Sequence, residues 1–153
     1  MSLAHAVRHT SRSAPCARAG APLTERRVTF TREQIAAYAA ASGDHNPIHL
    51  DDEFARSAGL PGVIAHGMLQ MGIAATVAAE AAGGPDHLRR LFVRFAGMVE
   101  PGDTVTFRAE PNGTGKLDLS ALNQRGEAVL TKAVAEYDGH PLPSGERDQG
   151  RGA

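Results

Sequence analysis

The chain has 153 residues, 42% of them apolar and 5% aromatic, with a formal net charge of −1. That length and apolar fraction fit one domain with its own core, and the near-neutral charge and few aromatics exclude the basic face and stacking platforms of nucleic-acid binders. The longest apolar run, Met68 to Ala79, is broken by Gln70 and is shorter than the roughly 20 residues of a membrane span.

Residues 1–23 carry Arg8, Arg12 and Arg18 among Ser, Ala and Pro, with no acid before Glu25. An organellar transit peptide has this composition, but the Ala/Gly/Arg bias runs through the whole chain, and the expectation is a disordered extension. The single cysteine, Cys16, lies in this stretch and closes no intrachain disulfide, so the expected compartment is reducing, the cytoplasm.

Arg27 to Phe30 reads as a short strand, after which Thr31 caps a helix with Gln34 at the capping-box spacing. The helix runs to about Ala41 with Ile35, Tyr38 and Ala39 on one face, and Gly43 suits the left-handed position at its end. Asp51 or Asp52 opens another short helix, through Phe54 to about Ala58, which Gly59 and Pro61 end. From Gly67 to about Ala82 the chain is apolar on nearly every side, a helix about 24 Å long that is expected to be wrapped by protein all round. Gly83-Gly84-Pro85 stops it.

Beyond that point the period changes to two. Val105, Phe107 and Ala109 point one way and Thr104, Thr106 and Arg108 the other, after a turn at Pro101-Gly102-Asp103. Leu91 to Val99, Lys116 to Asn123 and Glu127 to Tyr137 behave alike, separated by Asn112-Gly113 and Arg125-Gly126. One strand, helices, an apolar helix and consecutive hairpin strands predict an α+β domain over residues 24–138, an antiparallel sheet around the central helix. Residues 139–153, with Pro141, Pro143, Gly145 and mixed charges, read as a disordered tail.

The chemistry concentrates in Ser42-Gly43-Asp44-His45-Asn46-Pro47-Ile48-His49-Leu50-Asp51 and in Ala65-His66-Gly67-Met68. Pro47 locks its own φ and keeps Asn46 out of the helical region, so Asp44 and His49 sit on a stiff bend. Gly67 supplies an unpaired amide at a helix start, where the helix dipole favours negative charge. The set is an acid/base pair with an oxyanion donor. Plain structural roles compete: an Asx turn at Asp44 with His49 near a helix start, and a Gly67 that only permits close packing. Two further histidines, His45 and His66, raise a metal site, but Pro47 keeps His45 and His49 off one helical face and no HExxH is present, so no metal is expected. Arg94 on a strand reads as a solvated residue.

Tyr38 to Asp51, Phe54-Ala55 with Gly59, His66-Gly67-Met68, and Arg94-Phe95 with Pro101-Gly102-Asp103-Thr104 together resemble the MaoC-like branch of the hotdog superfamily. That branch holds the (R)-specific enoyl-thioester hydratases and 3-hydroxyacyl-thioester dehydratases. The resemblance covers residues 25–137. It implies a hotdog fold, Asp44 and His49 as the catalytic pair and the Gly67 amide as oxyanion donor; apart from the resemblance, His66 reads as a structural hydrogen-bonding residue beside the site. The resemblance also implies a hydro-lyase acting on thioesters of coenzyme A or an acyl-carrier protein in fatty-acid or polyketide metabolism, with no cofactor beyond that carrier. Homodimers, or heterodimers with a related hotdog subunit, are implied as well. Where related hydratases place a hydroxyl residue on the central helix, this chain has Ile73, Ala74 and Ala75, leaving Asn46 or Thr76 to support the water. Two other functions share these features: an acyl-binding subunit of a heterodimeric dehydratase, and a hotdog thioesterase.

Overall fold

The computed structural model describes residues 23–113 and 115–138. The expectations for the extension, its targeting alternative, Cys16 and the tail beyond 138 lie outside these residues. Strand β1 (Thr24–Thr29) leads into helix α1 (Arg32–Ser42), a 3-10 turn at Pro47–His49, helix α2 (Asp52–Ser57) and helix α3 (Gly67–Ala81). A second 3-10 turn at Pro85–His87 leads to β2 (Leu88–Phe95), β3 (Thr104–Pro111), β4 (Lys116–Asn123) and β5 (Ala128–Tyr137). The five strands form one antiparallel sheet in the order β1-β3-β4-β5-β2.

The local signals act as their chemistry demands. Thr31 accepts a hydrogen bond from the Gln34 amide at 3.1 Å and so starts α1. Gly43 ends it with φ 75°, a conformation that costs an L side chain energy and glycine almost none. Asp51 caps α2 through the amides of Glu53 and Phe54. Along β3 the period of two is a burial pattern, with Val105, Phe107 and Ala109 each no more than 1% exposed.

Two expectations fail. β3, β4 and β5 follow one another as the expected hairpins, but β2 does not pair with β3. β2 lies beside β5 at one edge of the sheet, while β3 is taken up by β1 and β4. The segment between β2 and β3 is too long for a tight turn, and it docks instead on the start of the domain. The Phe30 amide donates to the Asp103 carbonyl at 2.9 Å, the Gly102 amide to Phe30 at 2.7 Å, and the Ala65 amide to Val99 at 2.7 Å.

The central helix is also not enclosed on all sides. Gln70, Ala74, Val77 and Ala78 are buried in a core with Phe30, Ile35, Val99, Val105, Phe107 and Leu117, and α3 lies against β1, β2, β3 and β4. Met68, Gly72, Thr76 and Glu80, spaced four apart, form an exposed line. A single sheet covers one side of a helix, and the small residues on the other side leave a groove of about 450 Å³ beside Ala75, Thr76, Ala79 and Leu88.

Candidate active site

The end of α1, the 3-10 turn and the start of α3 bring Asp44, His49 and His66 together, with a potential ligand atom of each within 4.8 Å of the others. The loop between α1 and the turn is built from its own hydrogen bonds. Ser42 Oγ donates to the Tyr38 carbonyl at 2.7 Å and accepts from the Asp44 amide at 3.3 Å. Asp44 Oδ1 accepts from the Asn46 amide, and Asn46 Oδ1 from the Ile48 amide. Asn46 holds φ −57° and ψ 125°, the extended conformation that Pro47 imposes. The Asx turn expected as the plain structural reading is thus present. It occupies one side of the Asp44 carboxylate and leaves the exposed group otherwise open.

Hydrogen bonding fixes the state of both imidazoles. His49 Nδ1 lies 2.7 Å from the Ile64 carbonyl oxygen. A carbonyl only accepts, so in the neutral ring Nδ1 carries the proton and Nε2 presents a lone pair. His66 shows the opposite arrangement, its Nε2 3.1 Å from the Asp44 carbonyl oxygen. Its Nδ1 is buried without a partner among the described residues. The two rings stack, centroids 3.8 Å apart and planes 27° apart, and Tyr38 tilts against His66 at 4.9 Å.

His45 is exposed and takes no part, so the third member of the cluster is His66. Nδ1 of His49 and Nε2 of His66 are spent on carbonyls. The nitrogens that remain, His49 Nε2 and His66 Nδ1, belong to rings stacked with their planes 27° apart.

Helix α3 begins at Gly67 with no side-chain cap at His66, which leaves first-turn amides facing the cluster with the positive end of the helix dipole. A Cβ at Gly67 would stand 3.2 Å from the Phe95 ring, so glycine here also admits that ring. The expected packing role is real. Thr76 lies more than two turns along α3 and donates to the Gly72 carbonyl at 3.0 Å, which removes it as a support for the pair. Asn46 acts on the loop's shape. Arg94 is exposed on β2 opposite Thr131.

Two contributors were not anticipated: the Ile64 carbonyl, which sets the His49 tautomer, and Phe95, which roofs Gly67. A main-chain carbonyl leaves no residue-type signal. Phe95 had a weak one, a large apolar residue next to Arg94 at a strand's end.

The five-stranded antiparallel sheet packed on one long helix defines a hotdog-type α+β domain. Residues 16–133 match the model of the MaoC like domain family, and the chain belongs to that family. It is 34% identical over 127 residues, 83% of its length, to the peroxisomal hydratase-dehydrogenase-epimerase of Neurospora crassa, of which it spans 14%. To the peroxisomal enoyl-CoA hydratase 2 of Arabidopsis thaliana it is 34% identical over 95 residues, 61% of this chain and 31% of that protein. Among solved structures, the (R)-hydratase from A. caviae involved in PHA biosynthesis superposes with a TM-score of 0.67 at 26% identity, covering 78% of this chain and 96% of that one. No helix among the described residues is long and apolar enough to cross a membrane.

Proposed function

We propose that the chain is a hydro-lyase that interconverts (3R)-hydroxyacyl and trans-2-enoyl thioesters carried on coenzyme A or on the phosphopantetheine of an acyl-carrier protein, in fatty-acid or polyketide metabolism. One observation carries the reading. His49, with Nδ1 held by the Ile64 carbonyl and Nε2 left open, has a ring nitrogen within 4.8 Å of an Asp44 carboxylate oxygen, at the start of a helix without a side-chain cap.

In hydration, one water is held between the Asp44 carboxylate and His49 Nε2. Its oxygen attacks C3 of the enoyl group as the pair takes its proton, and the C2=C3 electrons move onto the thioester oxygen. The Gly67 amide donates to that enolate oxygen, an interaction worth about 3–4 kcal/mol in the transition state. The proton held by the pair then returns to C2, on the same face, and the sum is water added across the double bond. Dehydration runs through the same steps in reverse. No cofactor enters beyond the thioester carrier. A mainly apolar groove lies along the second half of α3, beside Ala75, Thr76, Ala79 and Leu88, and is our candidate for the acyl tail.

A homodimer fits the edge strand β2. Phe92 and Phe95 on it, with Met98 beyond it and Met68 next to Gly67, are each about half exposed. An unpaired strand edge with an apolar flank invites a second copy, or a related hotdog subunit, to continue the sheet. A reducing compartment remains our reading from the lone cysteine. Relatives described as peroxisomal make an organelle the alternative, and cell fractionation decides between them.

Incubation with crotonyl-CoA tests the function. Formation of (3R)-hydroxybutyryl-CoA supports it. Release of free thiol would show a thioesterase instead, and activity seen only after adding a second hotdog chain would show a subunit.

A further inference from the structure

His66 is almost fully buried, touches both members of the pair, and has no task in the steps above. Its Nε2–H is bonded to the main-chain carbonyl of Asp44, the residue that bears the carboxylate. Its ring stacks on the His49 imidazole, and the Tyr38 ring tilts against it at 4.9 Å. It directly precedes Gly67, so any shift of His66 also shifts the start of α3. Three separately delivered pieces, the end of α1, the 3-10 turn and the mouth of α3, therefore meet on one side chain.

We propose that His66 is a positioning residue for hydration, a neutral imidazole that ties the Asp44 main chain and carries the His49 ring, so that base, carboxylate and oxyanion donor hold one geometry. The role rests on the hydratase reading. It assigns opposite tautomers to the two stacked rings: Nδ1–H with an open Nε2 on His49, and Nε2–H with a lone-pair Nδ1 on His66. The unpartnered, buried Nδ1 is what this assignment leaves behind. A histidine retained only as apolar filling would have no need of either tautomer.

Two measurements test it. In ¹⁵N-labelled wild-type protein at alkaline pH, where imidazoles are neutral, the ring nitrogen shifts should report Nε2–H for His66 and Nδ1–H for His49. The Nδ1–H tautomer on His66 would overturn the assignment. In steady-state kinetics on crotonyl-CoA, His66→Ala should lower kcat by about 10²-fold, the effect of a misplacement near 1 Å. KM should stay unchanged, because His66 does not touch the substrate.

His66→Gln keeps a donor for the Asp44 carbonyl and His66→Phe keeps a ring against His49. Both retain bulk at the site, and each should restore part of the lost kcat. Wild-type kcat in His66→Ala, or a loss that neither variant restores in folded protein, would overturn the role alone. A wild-type chain inactive on enoyl thioesters would end the hydratase reading itself, and this role with it.

Discussion

At the level of single residues, two carbonyl oxygens decide what the histidines can do. The Ile64 carbonyl holds the His49 proton on Nδ1 and so frees Nε2 to act as a base, and the Asp44 carbonyl does the reverse for His66. Gly67 allows a clean test of the oxyanion donor, because it is the first residue of α3, where proline is tolerated. His66 before it holds φ −57° and ψ 134°, the conformation a residue preceding proline adopts. Gly67→Pro should therefore leave the fold intact while deleting the amide, and kcat on an enoyl thioester should fall about 10²–10³-fold. Gly67→Ala is the control: it keeps the N–H, meets the same Phe95 ring, and should lose far less. Equal losses in the two variants would assign Gly67 to packing alone. That Asp44 and His49 come together was legible in the sequence, because residue type marks an acid and an imidazole on one stiff bend. The Ile64 carbonyl was not, since every residue has one, and Phe95 comes from a strand far along the chain.

The secondary-structure elements are joined near the site by charge as well as by packing. Asp52 opens α2, accepts the Val63 amide at 2.9 Å and pairs with Arg32 of α1, so one carboxylate links both helices to the segment that enters α3. The Val63 amide, and after it the Arg32 guanidinium, hold this carboxyl below its ordinary range. A depressed carboxyl stabilises the fold at pH above its unfolded value, and that contribution disappears as pH falls through its folded value. Asp52→Asn should thus lower Tm at neutral pH, with the difference from wild type vanishing in strong acid; a pH-independent difference would contradict the linkage. In the core of the sheet, Phe107→Ala should cost about 3–5 kcal/mol of unfolding free energy in a denaturant titration. The caps at Thr31, Asp51 and Gly43 and the alternation along β3 were readable because they act within a few residues. The placement of β2 at the edge was not, because strand order depends on contacts between distant segments such as Phe30 with Asp103.

On the scale of the whole molecule, the exposed line on α3 and the apolar edge at β2 are the features a single chain leaves unfinished. Sequence periodicity showed that α3 is apolar on most sides, but the number of sheets available to cover it is a property of the assembly. If β2 pairs with its copy, light scattering should give twice the chain mass of 16.0 kDa, and Phe92→Asp should reduce it to one. A wild-type monomer would contradict this pairing. All the proposals depend on Asp44 and His49 acting together on an enoyl thioester. The most direct test is the rate of crotonyl-CoA hydration by the wild type, Asp44→Asn and His49→Ala, each confirmed as folded. Losing a general acid/base group should cost each variant about 10²–10⁴-fold in kcat, and wild-type rates in both variants would contradict the account.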